Sequence, residues 1–134
     1  MPRLITEIAI HASSTAVFDH LLALHTDAAG QYRYALLGIR VKGEYELIEQ
    51  TAPRYLLLRT TSGIEALIEL ALEPVDGGTH LMLTADYALP GTLLGGATNR
   101  MTLEAQLERD VATALYRFKA VLEVPPDLTE RPAE

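Results

Sequence analysis

The sequence predicts an α+β domain: one strand and a short helix, a run of antiparallel strands, and one long amphipathic helix. Three observations predict it. Apolar residues recur at three- and four-residue spacing over 15–25 and again over 103–122, as helices require. Between those segments the pattern becomes short strand-like runs. Turn chemistry separates the runs, at Ala52-Pro53, Ser62-Gly63 and Pro74-Val75-Asp76-Gly77-Gly78.

Residues 3–10 (RLITEIAI) mix β-branched residues with partial alternation and read as a strand. His11-Ala12-Ser13-Ser14 follows, and its serines suit a helix N-cap. From Thr15 to His25, Val17, Phe18, Leu21, Leu22 and Leu24 fall at helical spacing, with Asp19 and His20 on the other side. Thr26-Asp27-Ala28-Ala29-Gly30 supplies the stop. Strands are predicted over 31–37, 40–50, 54–61, 64–73 and 79–88. In 40–50, Val41, Tyr45 and Leu47 alternate with Lys42, Glu44 and Glu46, giving a dry face and a wet one.

Segment 64–73 is ambiguous on local grounds. Glu65, Glu69 and Glu73 recur every four residues among strong helix formers. Its shortness and flanking turns favour a strand, with Ile64, Ala66, Ile68, Leu70 and Leu72 on one face and the glutamates on the other. After Leu89-Pro90-Gly91 and a small-residue stretch comes the longest periodic segment, running to about Glu123. Its apolar stripe is Leu103, Leu107, Val111, Ala114, Leu115, Phe118 and Leu122. Pro125-Pro126 ends it, leaving 125–134 as a polar tail behind a single domain spanning 1–124.

Composition narrows the function classes. The chain has 134 residues, enough for one core without metal or disulfide staples. It has no Cys, which removes disulfides, thiol catalysis and cysteine-ligated metal centres. A formal charge of −7 argues against nucleic acid as a partner, since phosphate binding needs clustered Lys and Arg. No apolar run approaches the roughly 20 residues of a membrane helix, and Glu7 interrupts any signal-like amino terminus. A soluble protein with no integral membrane span and a cytoplasmic location is the expectation.

Several segments together resemble a known superfamily. The first strand followed by Ala12-Ser13-Ser14-Thr15-Ala16-Val17-Phe18-Asp19-His20-Leu21-Leu22 looks like the opening of the START-related, birch-pollen-allergen-like superfamily (SRPBCC). The chain especially resembles its polyketide cyclase/dehydrase and lipid transport branch. Gly43 to Leu56 (GEYELIEQTAPRYL) is similar to that branch's strand, turn and strand unit. Leu72 to Leu81 (LEPVDGGTHL) matches its hairpin, with Tyr87-Ala88-Leu89-Pro90-Gly91 after it. Leu115 to Glu123 (LYRFKAVLE) looks like the end of its last helix. The resemblance implies a helix-grip fold: a curved antiparallel sheet wrapped around the long C-terminal helix, with an apolar cavity between them. One departure is the short connection between the first helix and second strand, reduced to about Thr26–Gln31 and lacking the family's Trp. That shortening bears on the cavity mouth.

Motifs for familiar chemistry are missing. The sequence contains no G-x-S-x-G elbow, HExxH pair or Gly-rich phosphate loop with its lysine, and Gly91, Gly95 and Gly96 read as flexibility where the last helix begins. His20 and His25 lie five apart, the wrong spacing for a metal pair on one helix face, and both read as surface histidines. His80 is expected to point away from the dry face of Leu81, Leu83 and Ala85. No metal and no cofactor is expected. Tyrosines set among apolar residues (Tyr32, Tyr34, Tyr45, Tyr55, Tyr87 and Tyr116) suit a pocket for a mostly apolar ligand with a few oxygens. Tyr45, Arg59 and Tyr87 are the expected polar groups of the cavity. Leu47, Leu57, Ile68, Leu70, Leu83, Leu107, Val111 and Phe118 are its expected apolar wall.

Three functions remain open. The first is binding or transport of a small hydrophobic molecule, such as a lipid, isoprenoid or aromatic polyketide. The second is a cyclase/dehydrase-type enzyme in which Arg59 with Tyr45 or Tyr87 polarises a carbonyl. The third is a protein-interaction module with a vestigial cavity, for which a second copy forming a homodimer is one partner.

Overall fold

The computed structural model describes residues 2–36, 39–88 and 97–123, with side chains at 2–35, 40–88 and 101–123. The order is β1 (Arg3–Ile10), α1 (Ser14–Ala28), β2 (Gln31–Leu36), β3 (Ile39–Thr51), β4 (Tyr55–Thr60), β5 (Glu65–Val75), β6 (Gly78–Ala88) and α2 (Ala97–Leu122). Every predicted element is present, and the ambiguous segment predicted over 64–73 is a strand, β5, running Glu65–Val75. The expectations for Leu89-Pro90-Gly91, for Gly95 and Gly96 and for the tail at 125–134 lie outside the described residues.

Local chemistry accounts for the boundaries. Ser13 caps α1, its hydroxyl accepting the Ala16 N–H at 3.1 Å. Ala29, in the left-handed region at φ 53°, closes the helix and returns its N–H to Thr26. Asp76 and Gly77 connect β5 to β6, and Gly77 takes φ 83° at no steric cost. In β3 the pairing with β4 shifts between Leu47 and Glu49, leaving Ile48 as the extra residue of a bulge. Such a bulge bends its strand and adds twist.

The strands form one six-stranded antiparallel sheet in the order β1-β6-β5-β4-β3-β2. Register aligns one face across it. Leu47 faces Leu58, Leu58 faces Ile68, Ile68 faces Ala85 and Ala85 faces Leu4. The alternate residues, including Glu46, Arg59, Leu67 and Glu69, form the outer face. The main sheet contacts of α2 are with β1 and β2, the two edges. Neighbouring strands sit about 4.8 Å apart, so a flat sheet of this size would hold its edges roughly 24 Å from each other. A helix whose backbone approaches both edges more closely than the middle strands needs a sheet curled around it. This is the helix-grip arrangement.

The space inside that curl is filled at one end only. Val17 and Phe18 of α1, Leu115 and Phe118 of α2, and Ile10, Leu56, Leu70, Leu72 and Leu81 of the sheet form a buried cluster. Burying each large side chain is worth about 1.5–3 kcal/mol. Polar latches secure the same end. Thr79, fully buried, donates to the Ala12 carbonyl at 2.8 Å and shares a hydrogen bond with Ser14 at 3.1 Å. Lys119 near the end of α2 donates to the Ala9 carbonyl at 2.8 Å and to Glu123, while the His11 N–H donates to the same carboxylate at 2.6 Å.

Candidate functional site

The other end of the curl is hollow. A cavity of about 600 Å3 lies between β2–β5, the second half of α1 and the middle of α2. Its floor is the inward row Tyr45, Leu47, Leu58, Ile68 and Leu70, with Ala66 and Ile64 beside it. Leu21, Leu22, Leu24, His25 and Ala28 of α1 form one wall. Leu107, Asp110, Val111 and Ala114 of α2 form the other. Small residues on facing elements explain the space: Ala28, Ala66 and Ala114 stand where larger side chains would meet.

Polar groups interrupt this apolar lining. Tyr34 on β2 donates its hydroxyl to the Asp110 carboxylate, and Gln106 donates to the same oxygen at 3.3 Å and to the Ala35 carbonyl at 3.2 Å. Burial first, and the bond to Asp110 second, push the Tyr34 hydroxyl well above the usual phenol range. Thr60 bonds the backbone of Ala66, accepting its N–H at 2.8 Å. Tyr32 lies across Gly43, its opposite number on β3. Its hydroxyl accepts the Ile64 N–H at 2.7 Å and donates to the Ser62 carbonyl at 2.9 Å, tying the β4–β5 turn to the edge strand. Tyr45 presents a hydroxyl whose pKa is raised by burial, and its ring lies 5.3 Å from that of His25 and 6.5 Å from that of Tyr32.

Of the residues predicted to bind a ligand, the structure brings Tyr45, Leu47, Arg59, Ile68, Leu70, Leu107 and Val111 to the cavity boundary. Arg59 is there by its place in the strand rather than by its charge. It pairs directly with Glu46 across β3 and β4, and its guanidinium, 58% exposed, forms an ion pair with that carboxylate on the outer face. The remaining expectations need correction. Leu57 points outward between Glu49 and Glu69, because Leu56 and Leu58 hold the inward phase. Leu83 faces inward opposite Leu70 but packs onto the filled cluster. Tyr87 also faces inward, opposite Ala66, and is buried outside the cavity lining. Phe118 belongs to the core, with its ring 5.2 Å from that of His20. The Arg59 guanidinium therefore lies on the opposite face of the sheet from both Tyr45 and Tyr87, the two groups expected to share a carbonyl with it.

The histidines also depart from expectation. His25 is a cavity residue with a buried ring nitrogen, and His20 is half-buried against Phe118. His25 lies seven residues after Phe18 and four after Leu21, on the apolar stripe of α1, and that spacing was the available signal. Asp110, three residues after Leu107 and seven after Leu103, interrupts the stripe of α2 in the same way. His80 lies on the outer face as predicted, 3.3 Å from Glu7. Tyr55 bonds Glu69 on that face, and Tyr116 is 67% exposed.

No protein-family model and no curated protein matches the chain. Solved structures do match its fold. A START superfamily protein from Mycobacterium smegmatis aligns with a TM-score of 0.67 at 11% identity, covering 90% of this chain and 97% of that one. A protein from Thermus thermophilus aligns with a TM-score of 0.76 at 16% identity, covering 89% and 95%. The Aha1 dimer from Colwellia psychrerythraea aligns with a TM-score of 0.66 at 13% identity, covering 92% and 98%. The chain is similar to these over nearly its whole length, and it shares the helix-grip fold of START-like structures.

Proposed function

We propose that the protein binds a small hydrophobic molecule in the hollow half of the sheet and helix grip. One observation carries this reading: a cavity of about 600 Å3 walled almost entirely by aliphatic and aromatic side chains. Pockets of this size and lining bury most of a drug-sized ligand. At about 25 cal/mol per Å2, a few hundred Å2 of buried apolar ligand surface offers several kcal/mol before association costs. Binding therefore needs no catalytic group, and Arg59, the residue best suited to polarise a carbonyl, is committed to Glu46 on the outer face. No described helix is long and apolar enough to cross a membrane, and a carrier working in the cytoplasm is the location we infer.

The direct test is mass spectrometry of small molecules extracted from protein purified from its native host, against a control protein of the same preparation. A stoichiometric hydrophobic species is the expected result. Extracts matching the control, together with failure to bind added apolar probes, would overturn the reading.

A homodimer is a second, compatible reading. Met101, Tyr116 and Val121 of α2 are strongly exposed, and one structure sharing the fold is an Aha1 dimer. Sedimentation of the purified protein would decide it.

A further inference from the structure

His25 and Tyr45 face each other at the cavity with ring centroids 5.3 Å apart and planes tilted by 59°. Among the described residues, their polar atoms have no hydrogen-bond partner. His25 Nδ1 is buried with no hydrogen-bond partner. A buried N–H without an acceptor costs more than a bare acceptor site. In the neutral form of an imidazole so placed, the proton is therefore assigned to Nε2, which serves as a donor. Tyr45 contributes a phenolic hydroxyl whose surroundings act on it through burial alone.

Gln31 borders the cavity as an exposed residue, and the remaining polar groups are committed. The Asp110 carboxylate accepts from Tyr34 and Gln106. The Thr60 hydroxyl is engaged with the Ala66 backbone at 2.8 Å and 3.3 Å. The Arg59 guanidinium pairs with Glu46 on the outer face. Beside the exposed Gln31, the described wall thus holds one carboxylate, no guanidinium or ammonium group aimed inward, and two uncommitted groups able to donate. An anionic ligand would lose its hydration near Asp110 without gaining a counter-charge. A neutral acceptor oxygen would satisfy the donors at little desolvation cost.

We infer that the cavity selects neutral, largely apolar molecules carrying a hydrogen-bond acceptor oxygen, such as a ketone, ester or quinone carbonyl, which His25 and Tyr45 read as donors. The corresponding carboxylates are discriminated against. This inference rests on the hydrophobic-cavity reading and adds the chemical class of the ligand.

The test displaces a neutral fluorescent probe, N-phenyl-1-naphthylamine, with 2-acetylnaphthalene, 2-isopropylnaphthalene and 2-naphthoate at pH 8. It uses the full chain and its H25F and Y45F variants, with circular dichroism confirming the fold of each. The wild type should prefer the ketone, relative to the hydrocarbon, by about fivefold more than either variant does, as expected for one hydrogen bond. The carboxylate should compete at least about tenfold less well than the ketone. An unchanged ketone-to-hydrocarbon ratio in both variants, or naphthoate matching the ketone, would overturn the inference. Failure of the probe to bind the wild type at all would instead overturn the cavity reading, and this inference with it.

Discussion

Tyr34 on the edge strand β2 donates its hydroxyl to Asp110 on α2, and this bond joins the free side of the curled sheet to the helix it grips. Both residues line the cavity, so the contact that closes the curl is also part of the wall. Tyr34→Phe should cost about 1 kcal/mol, less than a fully buried charged hydrogen bond because the pair is partly exposed. Urea denaturation should show an unfolding free energy lowered by that amount, and an unchanged midpoint would assign the closure to packing alone.

The filled and hollow ends of the grip should respond differently to truncation. Leu81 is fully buried in the core cluster, so Leu81→Ala should cost about 3 kcal/mol or more through lost contacts and a new void. Leu58 borders a space already empty, and Leu58→Ala should cost roughly half as much. Chemical denaturation of the two variants compares them directly, and equal losses would contradict the division.

Gly43 has no room for a side chain. A Cβ there would sit 2.4 Å from both the Ser62 carbonyl oxygen and the Tyr32 ring. Gly43→Ala should therefore destabilise the protein by about 2 kcal/mol, the scale of overpacking. Because the Ser62 oxygen belongs to the backbone, adding Tyr32→Ala should not restore stability. Full rescue in the double variant would place the whole clash on the ring.

The latch at the end of α2 should be sensitive to acid. The His11 N–H, and after it Lys119, hold the Glu123 carboxyl below its ordinary value of 4.5. A depressed folded pKa contributes stability that is present above the unfolded value and is lost as pH falls through the folded one. The stability advantage of the wild type over Glu123→Gln should therefore be constant near neutrality and shrink below about pH 4.5. Thermal melts of both proteins across that range measure it, and a difference independent of pH would show that the charge is not involved.

Where alternation was clean, the sequence made the site legible. Tyr45 and Leu47 alternate with Glu44 and Glu46, and Ile68 and Leu70 with Glu69, so strand phase could be read from charge. In Leu56-Leu57-Leu58 three identical residues carry no phase, and Leu57 falls outward. Leu83 and Phe118 have the expected orientation, yet they belong to the filled end. Which end of the curl is filled depends on where α1 and α2 cross it, a long-range relation that no local pattern carries. His25 and Asp110 were legible in principle, as polar residues set on apolar helical stripes. Spacing rules aimed at metal pairs do not test for that placement.

The central claim is that the hollow end binds apolar molecules, and probe binding to wild type and to a cavity-filling variant tests it most directly. Val111 projects from the middle of α2 into the space, so Val111→Phe should fill part of it while keeping the fold. The wild type should bind N-phenyl-1-naphthylamine one to one, with affinity weakened at least about tenfold in Val111→Phe. Equal affinity in the two proteins would place binding elsewhere, and no binding by the wild type would contradict the account outright.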